Sequence, residues 1–152
     1  MPRVPATHEG HDPASGVHFW RPVIRIRVDV AGHPSAPLYA LVDSGADYTT
    51  LSRDLAEALF GIDFASLPRL IDVGGLTGQP IEQRKLDGTM SWRGIPFCSW
   101  FAVVDTNLPR PIVGQTDFFK VFKVDFSDWR IAHPIVNIDP HPARKKHPKQ
   151  KK

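Results

Sequence analysis

Strict alternation runs from Val23 to Val30, with Ile24, Ile26, Val28 and Val30 on one side and Arg25, Arg27 and Asp29 on the other. Side chains alternate across a strand, so the pattern predicts a half-buried strand. The turn-forming run Gly32-His33-Pro34-Ser35-Ala36-Pro37 follows, and then the apolar run Leu38 to Val42. Together they predict a hairpin with a longish loop. The second strand drives straight into Asp43-Ser44-Gly45-Ala46-Asp47, which puts one carboxylate at the mouth of a core. Beyond it, Ser52 can cap a short helix with Leu55 and Leu59 on one face, Asp54 in its first turn and Gly61 closing it.

Downstream, Leu70 to Val73 and Pro80 to Trp92 read as more polar strands joined by Gly74-Gly75-Leu76-Thr77-Gly78. The glycines predict a mobile hairpin tip, and their spacing is not that of a dinucleotide-binding turn. Ile95 to Val104 is apolar on both faces and predicts a strand inside the sheet packing. After the Pro-rich turn Leu108 to Pro111, Ile112-Val113 reaches Gly114 and a helical turn near Asp117-Phe118-Phe119. Lys123 to Phe126 and Trp129 to Ile135 read as closing strands, the latter placed at an edge by Pro134, which cannot donate to a ladder. Many short strands and few helices predict a mainly β, barrel-like single domain.

Composition narrows this picture. A chain of 152 residues with 41% hydrophobic content and nine Phe can build one compact core, with little room for a second. The expected organisation is a loose arm over 1–20, a folded domain over 21–138 and a basic tail over 139–152. No apolar run suggests a membrane span or a secretory leader, so a cytoplasmic protein is expected. The lone Cys98 has no cysteine partner and reads as a small apolar filler. His8-Glu9-Gly10-His11 lacks zinc-helix spacing and reads as solvated, so no metal or cofactor is expected. The formal charge of +3 comes largely from Arg144 to Lys152, a block without aromatics to stack on bases. Nucleic-acid binding by the tail is a lesser expectation.

An Asp-Ser-Gly by itself is also an ordinary strand-to-turn sequence. The order of pieces carries more: apolar strand, Asp43-Ser44-Gly45-Ala46, short helix, glycine-rich hairpin, paired apolar strands, then Ile112-Val113-Gly114 about seventy residues on. Over roughly Trp20 to Ile135 this resembles the retropepsin-like aspartic proteases, and Asp117-Phe118-Phe119 is closer to their cellular and bacterial branch. The resemblance implies that Asp43 is catalytic and that Ser44 and Gly45 support its loop. It also implies that Val113 and Gly114 cross beneath that loop. Ala46, Asp47, Ile112 and the flap Gly74, Gly75, Leu76, Thr77 and Gly78 would contact substrate.

Such chemistry uses two carboxylates sharing one proton, one acting as base toward water and the other donating to the carbonyl. Neither Asp87-Gly88-Thr89 nor Asp105-Thr106-Asn107 repeats the motif, so the second Asp43 is expected from another copy in a homodimer acting on a peptide at acidic pH. Gln115 stands where some retroviral members carry a basic residue, which removes an ion pair to Asp47. Two other readings compete: a protease-like dimerisation or peptide-binding module with little turnover, and a small β domain whose tail binds nucleic acid. Arg110, Trp129 and His133 are left without an assigned role.

Overall fold

The computed structural model describes residues 2–71, 73–74, 79–130 and 134–141. The chain opens with β1 (Arg3–Pro5), β2 (Thr7–His11) and β3 (His18–Arg21), then forms β4 (Val23–Asp29), β5 (Ala36–Val42) and β6 (Thr50–Ser52). Helix α1 (Arg53–Phe60) and a 3₁₀ turn at Phe64–Ser66 lead to β7 (Val73–Gly74), β8 (Pro80–Ile81), β9 (Gln83–Trp92) and β10 (Ile95–Val104). Next come β11 (Ile112–Val113), α2 (Phe118–Val121), β12 (Phe122–Asp125), a 3₁₀ turn at Ser127–Arg130 and β13 (Ile135–Pro140).

Six strands close into a barrel in the order β10-β6-β11-β5-β4-β9. The architecture is therefore mainly β with two short helices, as the strand pattern predicts. The alternation over 23–30 becomes β4, whose Ile24, Ile26 and Val28 are buried while Arg25 and Arg27 face out. It pairs antiparallel with β5, Val23 opposite Leu41 through Val28 opposite Ala36, which is the expected hairpin. Ser52 caps α1 by accepting from the Leu55 N–H at 3.3 Å, and Gly61 ends it in the left-handed region at φ 58°. The buried face of α1 is Ala56 and Phe60 rather than the expected Leu55 and Leu59, because Phe60 reaches the core and leaves Leu59 outside. In β10 the core-like stretch is Phe101 to Val104, whereas Pro96 and Ser99 are exposed.

Four expectations need correction. Residues before Trp20 were expected as a loose arm, yet β1 pairs with β13 and β2 pairs with β3. The sequence pattern is weak there because β1 is three residues long and buries Val4 only through its distant partner Val136. His8 and His11 lie on β2, where the His8 and His18 rings are hydrogen-bonded at 3.0 Å, so this segment is not merely solvated. Trp129 belongs to a 3₁₀ turn and not to a strand. Asp125 turns the chain there by accepting from the Ser127 N–H at 2.8 Å. The closing strand is β13, and it is the centre of the sheet β1-β13-β12 rather than an edge. Pro134 stands just before β13, where its carbonyl accepts from the Ala6 N–H at 2.8 Å. The basic tail from Arg144 and the residue His133 lie outside the described residues.

One continuous apolar core fills the interior, and it includes Ile26, Val28, Leu51, Met90, Phe101 and Val113 of the barrel. Part of it is an aromatic group: Phe118 lies 4.7 Å from Phe122 and 5.1 Å from Phe97 between ring centroids, and Trp92 lies 5.2 Å from Phe122. Phe118 is fully buried and is the first residue of α2, so it anchors the segment that follows Gly114. Phe118→Ala is expected to cost about 3–5 kcal/mol in urea unfolding, the usual penalty for a buried Phe deletion. A loss below about 1 kcal/mol would show that this cluster does not hold α2 in place.

Candidate functional site

The backbone ladder, before any side chain, sets the position of Asp43. Strands β5 and β11 run parallel, with Leu41 beside Ile112 and Val42 beside Val113. Parallel neighbours that end at the same level release their next residues side by side, here Asp43 and Gly114. Two hydrogen bonds fix this level, Leu41 N–H to the Pro111 carbonyl at 2.8 Å and Asp43 N–H to the Val113 carbonyl at 3.1 Å.

The turn that follows is tight. The Ala46 N–H donates to the Asp43 carbonyl at 3.3 Å, and the Gly45 N–H donates to the Asp43 carboxylate at 2.8 Å. That second bond orients the half-buried carboxylate with a backbone donor and leaves its other oxygen open. Ser44 and Gly45 are exposed at the tip of the loop. Among the described residues the Ser44 hydroxyl has no hydrogen-bond partner.

Gly114 is where the two segments touch. A Cβ there would stand 2.7 Å from the Ala46 carbonyl oxygen and 2.8 Å from the Tyr48 carbonyl, both backbone atoms. Glycine is thus required by close approach. Beyond it the backbone continues to pair, Gln115 N–H with the Ala46 carbonyl at 2.8 Å and Thr116 N–H with the Asp47 carbonyl at 2.9 Å. The Gln115 carboxamide donates to the Ser44 carbonyl. It thus ties the loop to its neighbour where an ion pair to Asp47 was expected to be missing.

A buried polar brace lies behind the loop. Thr49 is fully buried; its hydroxyl donates to the Asp117 carboxylate and accepts from the Gly114 N–H at 3.2 Å. The same Asp117 oxygen accepts from the Phe118 N–H at 2.7 Å and caps α2. Burial is the strongest influence on Asp117 and lifts its carboxyl above the ordinary 3.8, outweighing the hydrogen bonds that favour the anion. Sequence reading missed this brace. The only signal for it is an N-cap acid before Phe118, and nothing local connects that acid to Thr49.

A cleft of about 240 Å³ opens beside the loop, with walls that include Gly45, Ala46, Asp47, Ile81, Leu108 and Ile112. Its lining begins at Gly45, two residues past Asp43. Of the expected substrate contacts, Ala46, Asp47 and Ile112 are therefore brought together. Gly74 lies in β7, paired with Pro80 of β8, which forms the base of the expected flap. Gly75, Leu76, Thr77 and Gly78 lie outside the described residues. A larger cavity of about 500 Å³ lies behind the loop against Cys98, Trp100, Asp117 and Lys120. Burial pushes the Cys98 thiol on its wall up to about 12, which keeps that sulfur protonated at neutral pH. Among the described residues no cluster of His, Cys, Asp or Glu is arranged to hold a metal ion.

Arg110 acquires a partner here. Its guanidinium lies 2.8 Å from Glu9, and Arg21 lies 3.5 Å from the other Glu9 oxygen. Glu9 thereby fastens the β2–β3 hairpin to the turn that leads into β11.

Two variants test the brace. Gly114→Ala is expected to lose about 1–3 kcal/mol of stability in urea unfolding, because backbone must move to admit the methyl group. Wild-type stability would show that the two segments are not in contact. For Asp117, the folded chain holds the proton more tightly than the unfolded chain does. Its contribution is fully present below the unfolded value and is lost as the pH rises through the higher folded value. Asp117→Asn keeps the acceptor oxygen and removes the titration, so its stability should gain on wild type as the pH rises from the carboxylate range to neutrality. The opposite trend would mean that the ionised form is the favoured one.

No family model matches the sequence, and no curated protein matches it. The chain is similar to a solved retroviral protease, EIAV protease complexed with the inhibitor HBY-793, at 23% identity and a TM-score of 0.49. The similarity covers 62% of this chain and 81% of that one.

Proposed function

We propose that the protein is an aspartic endopeptidase of the retropepsin-like kind, closer to the cellular and bacterial members, active as a homodimer. The observation that carries the reading is the Asp43 loop. It holds a half-buried carboxylate, oriented by the Gly45 N–H, at the paired ends of β5 and β11 and beside a mainly apolar cleft. A single such carboxylate cannot both take a proton from water and give one to a carbonyl oxygen. Two brought close share one proton and divide those tasks.

The second carboxylate is assigned to Asp43 of another copy. Within the chain the other candidates are engaged elsewhere: Asp87 stands opposite Trp100 within the β9–β10 ladder, and Asp105 lies 3.5 Å from Arg53. The exposed tip Ser44-Gly45 suits a self-complementary contact about a twofold axis, because small residues let two loops approach. Water is the nucleophile. One Asp43 removes its proton as it attacks the peptide carbonyl, and the other protonates the developing oxyanion. The tetrahedral species then collapses with a proton delivered to the amine. Ala46, Asp47 and Ile112 form the wall along which the substrate backbone lies, with the β7–β8 hairpin over it.

The test is cleavage of a mixed peptide library at mildly acidic pH, read by mass spectrometry, over a range of protein concentrations. Asp43→Asn should remain folded and dimeric and lose about 10²–10⁴-fold or more of the rate, the share carried by a positioned acid or base. Wild-type activity should rise more steeply than linearly with concentration wherever the dimer dissociates. Equal cleavage by wild type and Asp43→Asn would sink the assignment. A folded wild-type dimer that retains peptides without cutting them would instead make this a binding module.

A further inference from the structure

The outer face of the barrel carries a cluster of arginines around a cavity whose lining does not include Asp43. Arg25 and Arg27 project from it two positions apart on β4, about 6.7 Å along the strand. Arg93 stands beside them at the β9–β10 turn. That turn has both central residues in the left-handed region, Arg93 at φ 50° and Gly94 at φ 78°, the geometry of a tight type I′ hairpin. The Arg93 guanidinium is held 5.0 Å from the centre of the buried Trp92 ring. Arg25, Arg27 and Arg93 share one cavity of about 360 Å³, together with Pro37 and Ser91.

Three guanidinium groups on one cavity repel one another unless an anion lies between them. Among the described residues none of the three has an ion-pair partner, although Glu9, Glu57, Glu82, Asp87, Asp105 and Asp128 are all engaged elsewhere. The nearest acid along the face is Asp29, two positions past Arg27 on the same side of β4 and opposite Thr89. It too has no ion-pair partner among the described residues, and it marks where the positive row ends.

An exposed aromatic ring adjoins the row. Tyr39 is directly opposite Arg25 in the β4–β5 ladder and is 64% exposed. An acidic peptide would use the arginines and leave this ring idle. A nucleic-acid strand would use both, its phosphates meeting the planar guanidinium forks and a base lying on the phenol face. We propose that the face formed by Arg25, Arg27, Arg93 and Tyr39 binds single-stranded nucleic acid. This site is carried by the folded barrel and needs neither the basic tail nor proteolytic activity.

The test is fluorescence anisotropy of a labelled oligouridylate with the full chain, titrated over a range of salt concentrations. Wild type should bind at low salt and weaken as salt rises. The double variant Arg25→Gln, Arg27→Gln should bind at least tenfold more weakly at low salt. Its slope of log affinity against log salt should be shallower by about 1.4, since each lost phosphate contact on a single strand removes about 0.7. Tyr39→Ala should weaken binding about fivefold to a hundredfold with its salt slope unchanged, as expected for a lost stacking contact. All substituted side chains are exposed, and matching thermal melts establish that the variants are folded. The proposal fails if wild type does not bind, or if the double variant binds like wild type, which would assign the binding to the tail. It also fails if Tyr39→Ala has no effect while a polyglutamate peptide displaces the oligonucleotide, which would make the face a general anion surface.

Discussion

The parallel contact between the ends of β5 and β11 is the constraint on which the rest of the structure depends. Both strands stop at the same level, so Asp43 and Gly114 emerge as neighbours, and the missing side chain of Gly114 lets the carbonyls of Ala46 and Tyr48 close over it. That contact sets where the loop begins, and the Gly45 N–H then orients the carboxylate within it. The loop cannot shift along β11 without breaking three successive backbone pairings, those of Asp43, Gln115 and Thr116. Such a ladder positions the loop more firmly than side-chain packing alone would.

Buried polar groups are few, and their distribution follows the same logic. Among the described residues, Thr49, Ser52 and Gln83 are the polar side chains in the interior. Thr49 joins the loop to Gly114 and Asp117, and Ser52 caps the helix that leaves the loop. Gln83 donates to the Ile71 carbonyl at 3.2 Å, near the base of the β7–β8 hairpin. A satisfied polar group in an apolar surrounding has one low-energy arrangement, whereas an apolar contact tolerates sliding. The interior is thus apolar where it supplies stability and polar where it fixes geometry. Asp117 shows the cost of this arrangement, because its ionised form is disfavoured by the burial that makes it a good brace.

Much of this was legible in the sequence wherever one face of an element is buried and the other is wet. The alternation in Val23 to Val30, the cap at Ser52 and the glycine at 61 each follow from local chemistry, and each appears where expected. The apolar run ending on Asp43 likewise marked the loop, and Ile112-Val113-Gly114 marked its neighbour. Elements held together by distant partners were not legible. Strand β1 exists because Val4 meets Val136, and the Thr49–Asp117 contact spans 68 positions. Trp129 read as the start of a closing strand, but the turn set by Asp125 leads into a 3₁₀ segment that contains it. The distinction is physical: a periodic pattern records which side of an element meets water, and it carries no information about which other element covers the dry side.

The loop itself divides into a fixed half and an open half. From Ala46 onward the carbonyls of Ala46, Asp47 and Thr49 accept from Gln115, Thr116 and Ala102 at 2.8, 2.9 and 2.9 Å, and the Tyr48 ring lies 5.6 Å from that of Trp100 on β10. Ser44 and Gly45, in contrast, are exposed, and among the described residues the Ser44 hydroxyl has no hydrogen-bond partner. An aspartate held rigidly from behind and left bare in front is poorly suited to be a structural residue, because the chain gains nothing from the half it leaves in water. The arrangement makes sense if the front is completed from outside, by a substrate, by a second copy of the same loop, or by both together. In the homodimer proposed above, a twofold axis through the Ser44-Gly45 tip would meet that requirement with the fewest additional parts: it would supply the second carboxylate, and the brace behind each loop would set the separation of the pair.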